Sequence, residues 1–261
     1  MKKLLIILIS LPLFLVIFGG TCEDEPTEAL DSPDTYTLSA DINGIDLIID
    51  WDESTSEIEG YYVLFDGTEI YDGVTSQCTH VNPTGLGQYQ IVAYNGTEES
   101  DPLTFNTSNF VEEVVSEEIW RFDVAGQPSG YGWAMTGGTV SGASYSFAAA
   151  NQDYVDVYFA TYDAIASADA YTGGTDFPNA TGIAVPGTDY DVMSEAPSTS
   201  AASYENYQDI SANQTYALKI YKTNHPNGYY GKMKITAYDD TNHKITFKWM
   251  VQGVQNWRIL E

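Results

Sequence analysis

The sequence predicts an all-β protein, a small seven-stranded sandwich followed by a second antiparallel β-domain with a long loop-rich middle. Three observations predict it. Beyond position 34 the chain is a succession of short alternating runs rich in Tyr, Val, Ile, Thr and Phe, separated by Gly, Asn, Asp and Pro turn signals. No long stretch carries the 3.6-residue periodicity of an amphipathic helix. The pattern changes near NTSNFVEEVVSEE (106–118), and a linker is placed at 108–117.

The N-terminal stretch, MKKLLIILISLPLFLVIFGGTC, joins two lysines, an apolar run from Leu4 to Phe18 and small residues ahead of Cys22. The run is shorter than the roughly 20 residues a spanning helix needs, and the small residues suit a signal peptidase pocket. Residues 1–21 resemble a bacterial lipoprotein signal. That resemblance implies cleavage before an acylated Cys22, contact with the membrane through a lipid anchor, and a place at the outer membrane or cell surface. Thr21 is an unusual residue before such a cysteine, which keeps a periplasmic or secreted form open. Residues 22–33 are acidic, contain two prolines and lack apolar periodicity, and so are expected to form an extended, mobile tether.

Two cysteines exclude a disulfide scaffold, and Cys78, within the alternating run TSQCTHV, is expected to be a small core residue. Charge is uneven. Between Cys22 and Leu218 one basic residue, Arg121, stands against 34 acidic ones, whereas seven basic residues stand against three acidic ones after it. So large a negative field repels nucleic acid, and no nucleic-acid partner is expected.

The first unit, 34–107, contains TYTLSADI, IDLIIDWDES, IEGYYVLFDGTEI, YDGVTSQCTHV, GQYQIVAYNG and DPLTFNTS at the interval of short sandwich strands. Trp51, the GYYVLFDG strand and YQIVAYNGTEESDP (Tyr89–Pro102) make it resemble a fibronectin type III module. The resemblance implies that Trp51 packs between the two sheets and that the module acts as a spacer or docking domain.

The second unit, 118–261, opens with EIWRFDVAG, GYGWAMTGGTVSGASYSFAA and DYVDVYFATYDA, passes through the loop-rich stretch 164–208, and ends in TYALKIYK, YYGKMKITAY and HKITFKWMVQ. A loop stretch of that length suggests function. Alternation puts Met233, Ile235 and Ala237 on one side of a strand, and Ile245, Phe247, Trp249 and Val251 on one side of the next. The other side shows Lys232, Lys234, Lys244 and Lys248, a stripe expected to be a solvated face that discourages sheet aggregation; its functional reading is a docking strip for the acidic remainder of the chain or for an acidic partner. GYYGKMKITAYDDTNHKITFKWMVQ (228–252), with the VDVYF strand at Val155, resembles the C-terminal part of HmuY-like secreted β-proteins, some of which hold haem through two axial side chains. Each unit has its own aromatic residues and is expected to fold alone.

A bis-histidine haem site needs two imidazoles on one iron. His225 and His243 fall at opposite ends of the Tyr230–Tyr238 strand, roughly 25 to 30 Å apart at the usual strand rise, so a haem would need a methionine partner. Calcium is suggested by the carboxylates of DAIASADAYTGGTD (163–176) and PGTDYDV, though neither matches an EF-hand. No G-x-S-x-G, H-E-x-x-H, P-loop, CxxC or dinucleotide motif occurs, and the chain is expected not to be an enzyme. Aromatic residues outside the alternating positions suit a sugar ring, haem or a surface protein. Trp133, Tyr229, Tyr230 and His225 are the candidate ligand-binding residues. The expected function is an exported, non-enzymatic binding or adhesion protein; the alternatives are a carbohydrate-binding accessory module, a haem scavenger and a structural envelope component.

Overall fold

The computed structural model describes residues 29–261. The signal, Cys22 and most of the tether lie outside them. The strands of the first unit are β1 (Tyr36–Ala40), β2 (Leu47–Trp51), β3 (Gly60–Phe65), β4 (Thr68–Gly73), β5 (Gln77–His80), β6 (Gln88–Asn95), β7 (Glu98–Glu99) and β8 (Leu103–Asn106). They form two antiparallel sheets, β1-β2-β5 and β4-β3-β6, with β7 and β8 both paired to β6. Trp51 packs edge-on against Tyr61 between the sheets, with Leu47, Ile49, Val63 and Ile91 fully buried beside them. Cys78 is also buried there, and desolvation pushes its thiol up to about 12, so it stays an unreactive core group. The end of the tether is docked rather than mobile: Pro33 is buried, and Asp31 is hydrogen-bonded through its backbone and carboxylate to the 54–56 turn.

The second unit is also a sandwich of antiparallel sheets. Its strands are β9 (Val111–Trp120), β10 (Gly130–Thr136), β11 (Thr139–Tyr145), β12 (Val157–Phe159), β13 (Ala164–Ser167), β14 (Ala180–Ala184), β15 (Tyr207–Asp209), β16 (Thr215–Lys222), β17 (His225–Asp239) and β18 (Lys244–Gln252). One sheet runs β11-β10-β12-β13-β15, the other β14-β16-β17-β18-β9. Tyr131, Trp133, Val157 and Phe159 from the first interleave with Tyr216, Leu218, Met233, Phe247 and Trp249 from the second. The Trp249 indole N–H donates to the Tyr131 hydroxyl at 2.8 Å, giving one of the two tryptophans of this core a buried polar partner.

Four expectations are corrected. Residues 111–117, placed in a linker, belong to β9, whose register with β18 runs from Val111 opposite Gln252 to Trp120 opposite Lys244. As an edge strand it exposes Glu112 and Glu113, charges that blunt further pairing, and a bulge opposite Lys248 breaks the alternation that would have marked it. Ala237 is exposed, not core, because a bulge at Thr236 shifts the β17 register so that Tyr238 takes the inward position. The lysine stripe is not a free face. Lys234 reaches Asp189 at 2.7 Å, Lys248 reaches Asp191 at 2.5 Å, and fully buried Lys232 holds the carbonyls of Tyr190 and Met193, each at 2.9 Å, and the Glu261 carboxylate. These lysines fasten the acidic 186–197 loop over the sheet.

The fourth correction concerns the separateness of the units. Residues 253–261 leave β18 and cross to the first sandwich, where Val254, Trp257 and Ile259 complete its core. Trp257 is fully buried and its indole N–H donates to the Ile45 carbonyl at 3.2 Å. The Asn256 amide donates to the Asp41 carbonyl at 2.7 Å, and Arg258 reaches the Asn43 carbonyl at 3.0 Å. Gly44, at φ +76°, makes this approach workable, since a Cβ there would overlap the Asn256 carbonyl oxygen.

Candidate functional site

The β16–β17 hairpin is the element around which surface relief concentrates. Lys222 pairs with His225 at its end, leaving Thr223 and Asn224 as an exposed two-residue tip, followed by exposed Pro226 and Asn227. Clefts of about 400, 420 and 430 Å³ border this hairpin end. The first lies between the hairpin tip and Trp133, Tyr145 and Tyr154; the second is lined by Tyr36, Phe110, His225 and Tyr229; the third by Asp41, Lys219, Tyr221 and Asn227. The last two are walled partly by the first sandwich, so the docking of residues 253–261 helps shape them.

The first cleft has the most developed chemistry. Tyr145 and Tyr154 stack with ring centroids 5.7 Å apart and planes within 17°, and Tyr154 is more than half exposed. Beneath them Asp156, with no exposure to water, accepts from the Trp133 backbone N–H at 2.7 Å and from Lys222 Nζ at 2.5 Å. Burial pushes the Asp156 carboxyl up to about 6, more than Lys222 and the Trp133 amide pull it down. Gly132 lets the loop bearing Tyr154 close on β10, since a Cβ there would overlap the Tyr154 carbonyl oxygen. Asn179, almost fully buried, ties the same loop with its amide to the Asp153 carbonyl at 2.9 Å.

The residues singled out in the sequence divide. His225 lies half-buried where the first two clefts meet, its ring edge-on to Tyr229 at 5.3 Å. Trp133 and Tyr229 line clefts but are only 1% and 4% exposed, so neither offers a ring face for stacking. Tyr230 points to the opposite side of β17, buried beside Tyr190, Met250 and Leu260. The reading of these three aromatics as platforms is therefore corrected: their bulk faces the packed interior. Cys22 lies outside the described residues. His243 is in the turn after the 15-residue β17, at the end far from His225, so the two imidazoles are not brought together.

In the acidic stretches read as calcium candidates, Asp163 is ion-paired with Arg121 at 3.2 Å, Asp189 with Lys234 and Asp191 with Lys248, while Asp169 accepts from the Ser167 hydroxyl. Among the described residues no group of three or more His, Cys, Asp or Glu side chains is placed to hold a metal ion. Tyr154, Lys222 and Lys219, which line these clefts, and Asp156, which holds Lys222, are not among the sequence candidates. The signal available was DYVDV, in which a tyrosine and an aspartate two apart precede a buried strand; it was read as one continuous strand.

No family model matches the chain, and no curated protein matches it. Among solved structures, the chain is similar to FN3tt and to a mutant of it, at 17% and 18% identity, over 30% of this chain and 92% of theirs, with TM-scores of 0.26 and 0.27. The all-β sandwich description rests on the sheet order and shared core given above.

Proposed function

We propose that this chain is an exported, lipid-anchored, non-enzymatic binding protein of the cell envelope, with its fibronectin type III-like unit as spacer and its HmuY-like unit carrying the interaction at the β16–β17 hairpin end. The observation that supports this reading most is the convergence of the clefts on that hairpin. Each is in the range of about 300 to 1,000 Å³ usual for small-molecule sites. Their walls offer stacking faces and hydrogen-bonding groups, and the buried carboxylate nearest them, Asp156, is engaged by Lys222. Recognition then falls on a tip and loops held by rigid sheets.

A carbohydrate ligand is the second reading, favoured by Tyr154, whose exposed ring lies over Tyr145 in the cleft that the polar tip residues Thr223 and Asn224 also line. A glycan array and a haemin titration of the whole chain separate sugar from haem. For the ligand so selected, Tyr154→Ala and His225→Ala should each weaken binding by about 1 kcal/mol or more, with the melting temperature unchanged. Binding that survives both substitutions undiminished would remove the hairpin end from the account.

A further inference from the structure

Every lysine and arginine among the described residues pairs with a carboxylate, except Lys219. In a chain with 37 acidic and 10 basic residues this exception asks for a reason. Lys219 is not a loose surface side chain. It is half-buried, its Nζ donates to the Tyr230 hydroxyl at 3.0 Å, and the same nitrogen lies 4.7 Å from the Tyr230 ring centre and 5.4 Å from that of Tyr221. Two ring faces and a hydroxyl thus fix the ammonium where it lines the cleft of about 430 Å³ between the hairpin and the first sandwich.

Among the described residues no carboxylate is ion-paired with it. Asp41 lines the same cleft, but its carboxylate accepts from the Asn43 amide and from the backbone N–H groups of Asn43, Ile45 and Asp46, all within its own turn. The Asn256 amide is turned to the Asp41 carbonyl. Asn227 is exposed and contributes a free-standing amide to the wall.

We infer that this cleft receives the carboxylate of a small ligand, with Lys219 as its counter-ion and the Tyr221 ring beside the ligand's remaining atoms. The partner chemistry follows from charge: one fixed ammonium, with the Asp41 carboxylate held in its own turn on the same wall, suits no more than a monoanion, whereas a phosphate dianion would carry excess charge into a strongly acidic molecule. The inference deepens the hairpin-end reading and rests on it only for its place in recognition.

The test is a titration of the whole chain, labelled with 13C-lysine, with sodium acetate, with inorganic phosphate, and with sodium chloride at matched ionic strength. The Lys219 ε-methylene signal is assigned by its loss in Lys219→Gln. The expected result is a saturable shift of that signal with acetate, weaker with phosphate, while Lys234, Lys244 and Lys248 follow ionic strength alone. A Lys219 shift no larger than theirs, or the same shift with chloride, would overturn the site; tighter saturation by phosphate would overturn the carboxylate assignment. Acetate binding does not involve Tyr154 or His225, so its failure is distinguishable from failure of the array experiment.

Discussion

Asp156, which holds the cleft residue Lys222, ties the wall of the Tyr145–Tyr154 cleft to stability. Its folded-state value lies above that of an ordinary carboxyl, so ionisation opposes folding. The stabilising contribution is fully present below about pH 4 and is lost as pH rises through about 6. The gap corresponds to about 3 kcal/mol at most. Asp156→Asn has no proton to lose, so in urea titrations the stability of wild type minus that of the variant should fall from pH 4 to pH 7; a value that rises over that range would contradict the assignment. Trp133 and Tyr154 provide a second contrast in the same cleft. Trp133→Ala removes a ring buried in the core and should cost about 3 to 5 kcal/mol, whereas Tyr154→Ala should stay within about 0.5 kcal/mol in stability. Thermal unfolding of the two variants reads this directly.

At the scale of elements, the lysines of β17 and β18 act as fasteners for the 186–197 loop, and their burial sets an order among them. Lys232→Met leaves the Met193 carbonyl without its donor, and the Tyr190 carbonyl with the Met193 N–H alone, and should cost about 1 to 3 kcal/mol. Lys248→Met breaks a pair whose aspartate is largely exposed and should cost about 0 to 1 kcal/mol. Equal costs in urea unfolding would mean that the loop is not held through Lys232. The same strands show what the sequence could reveal. Period-2 alternation identified Met233, Ile235, Ile245, Phe247, Trp249 and Val251 as core, and all are buried. It failed where a bulge inserts a residue, at Thr236 and opposite Lys248, because a one-residue shift exchanges the faces and nothing in the local composition marks it. It also could not say whether a lysine faces water or a carboxylate 45 to 57 residues away, as Lys234 and Lys248 do. Tyr229 and Tyr230 looked alike in sequence, yet they fall on opposite sides of β17.

Across the whole molecule, the segment 253–261 makes two sandwiches into one packed body. Trp257→Ala opens a cavity in the first unit and should cost about 3 to 5 kcal/mol, although the residue lies beyond the last strand of the second. Fluorescence and far-ultraviolet circular dichroism should still report one shared transition, and two separated transitions would show that the units melt independently. The joint matters for recognition because Tyr36, Asp41 and Ile42 wall clefts whose other side is the hairpin. A hydrogen-exchange footprint of the whole chain, taken with the ligand chosen by the array and haemin experiments, decides whether recognition falls at the hairpin end. Binding there should slow exchange around residues 222–229 and 153–156, extending to 36–42. Protection confined to the β9 edge or to the 186–197 loop, with the hairpin end unchanged, would contradict it.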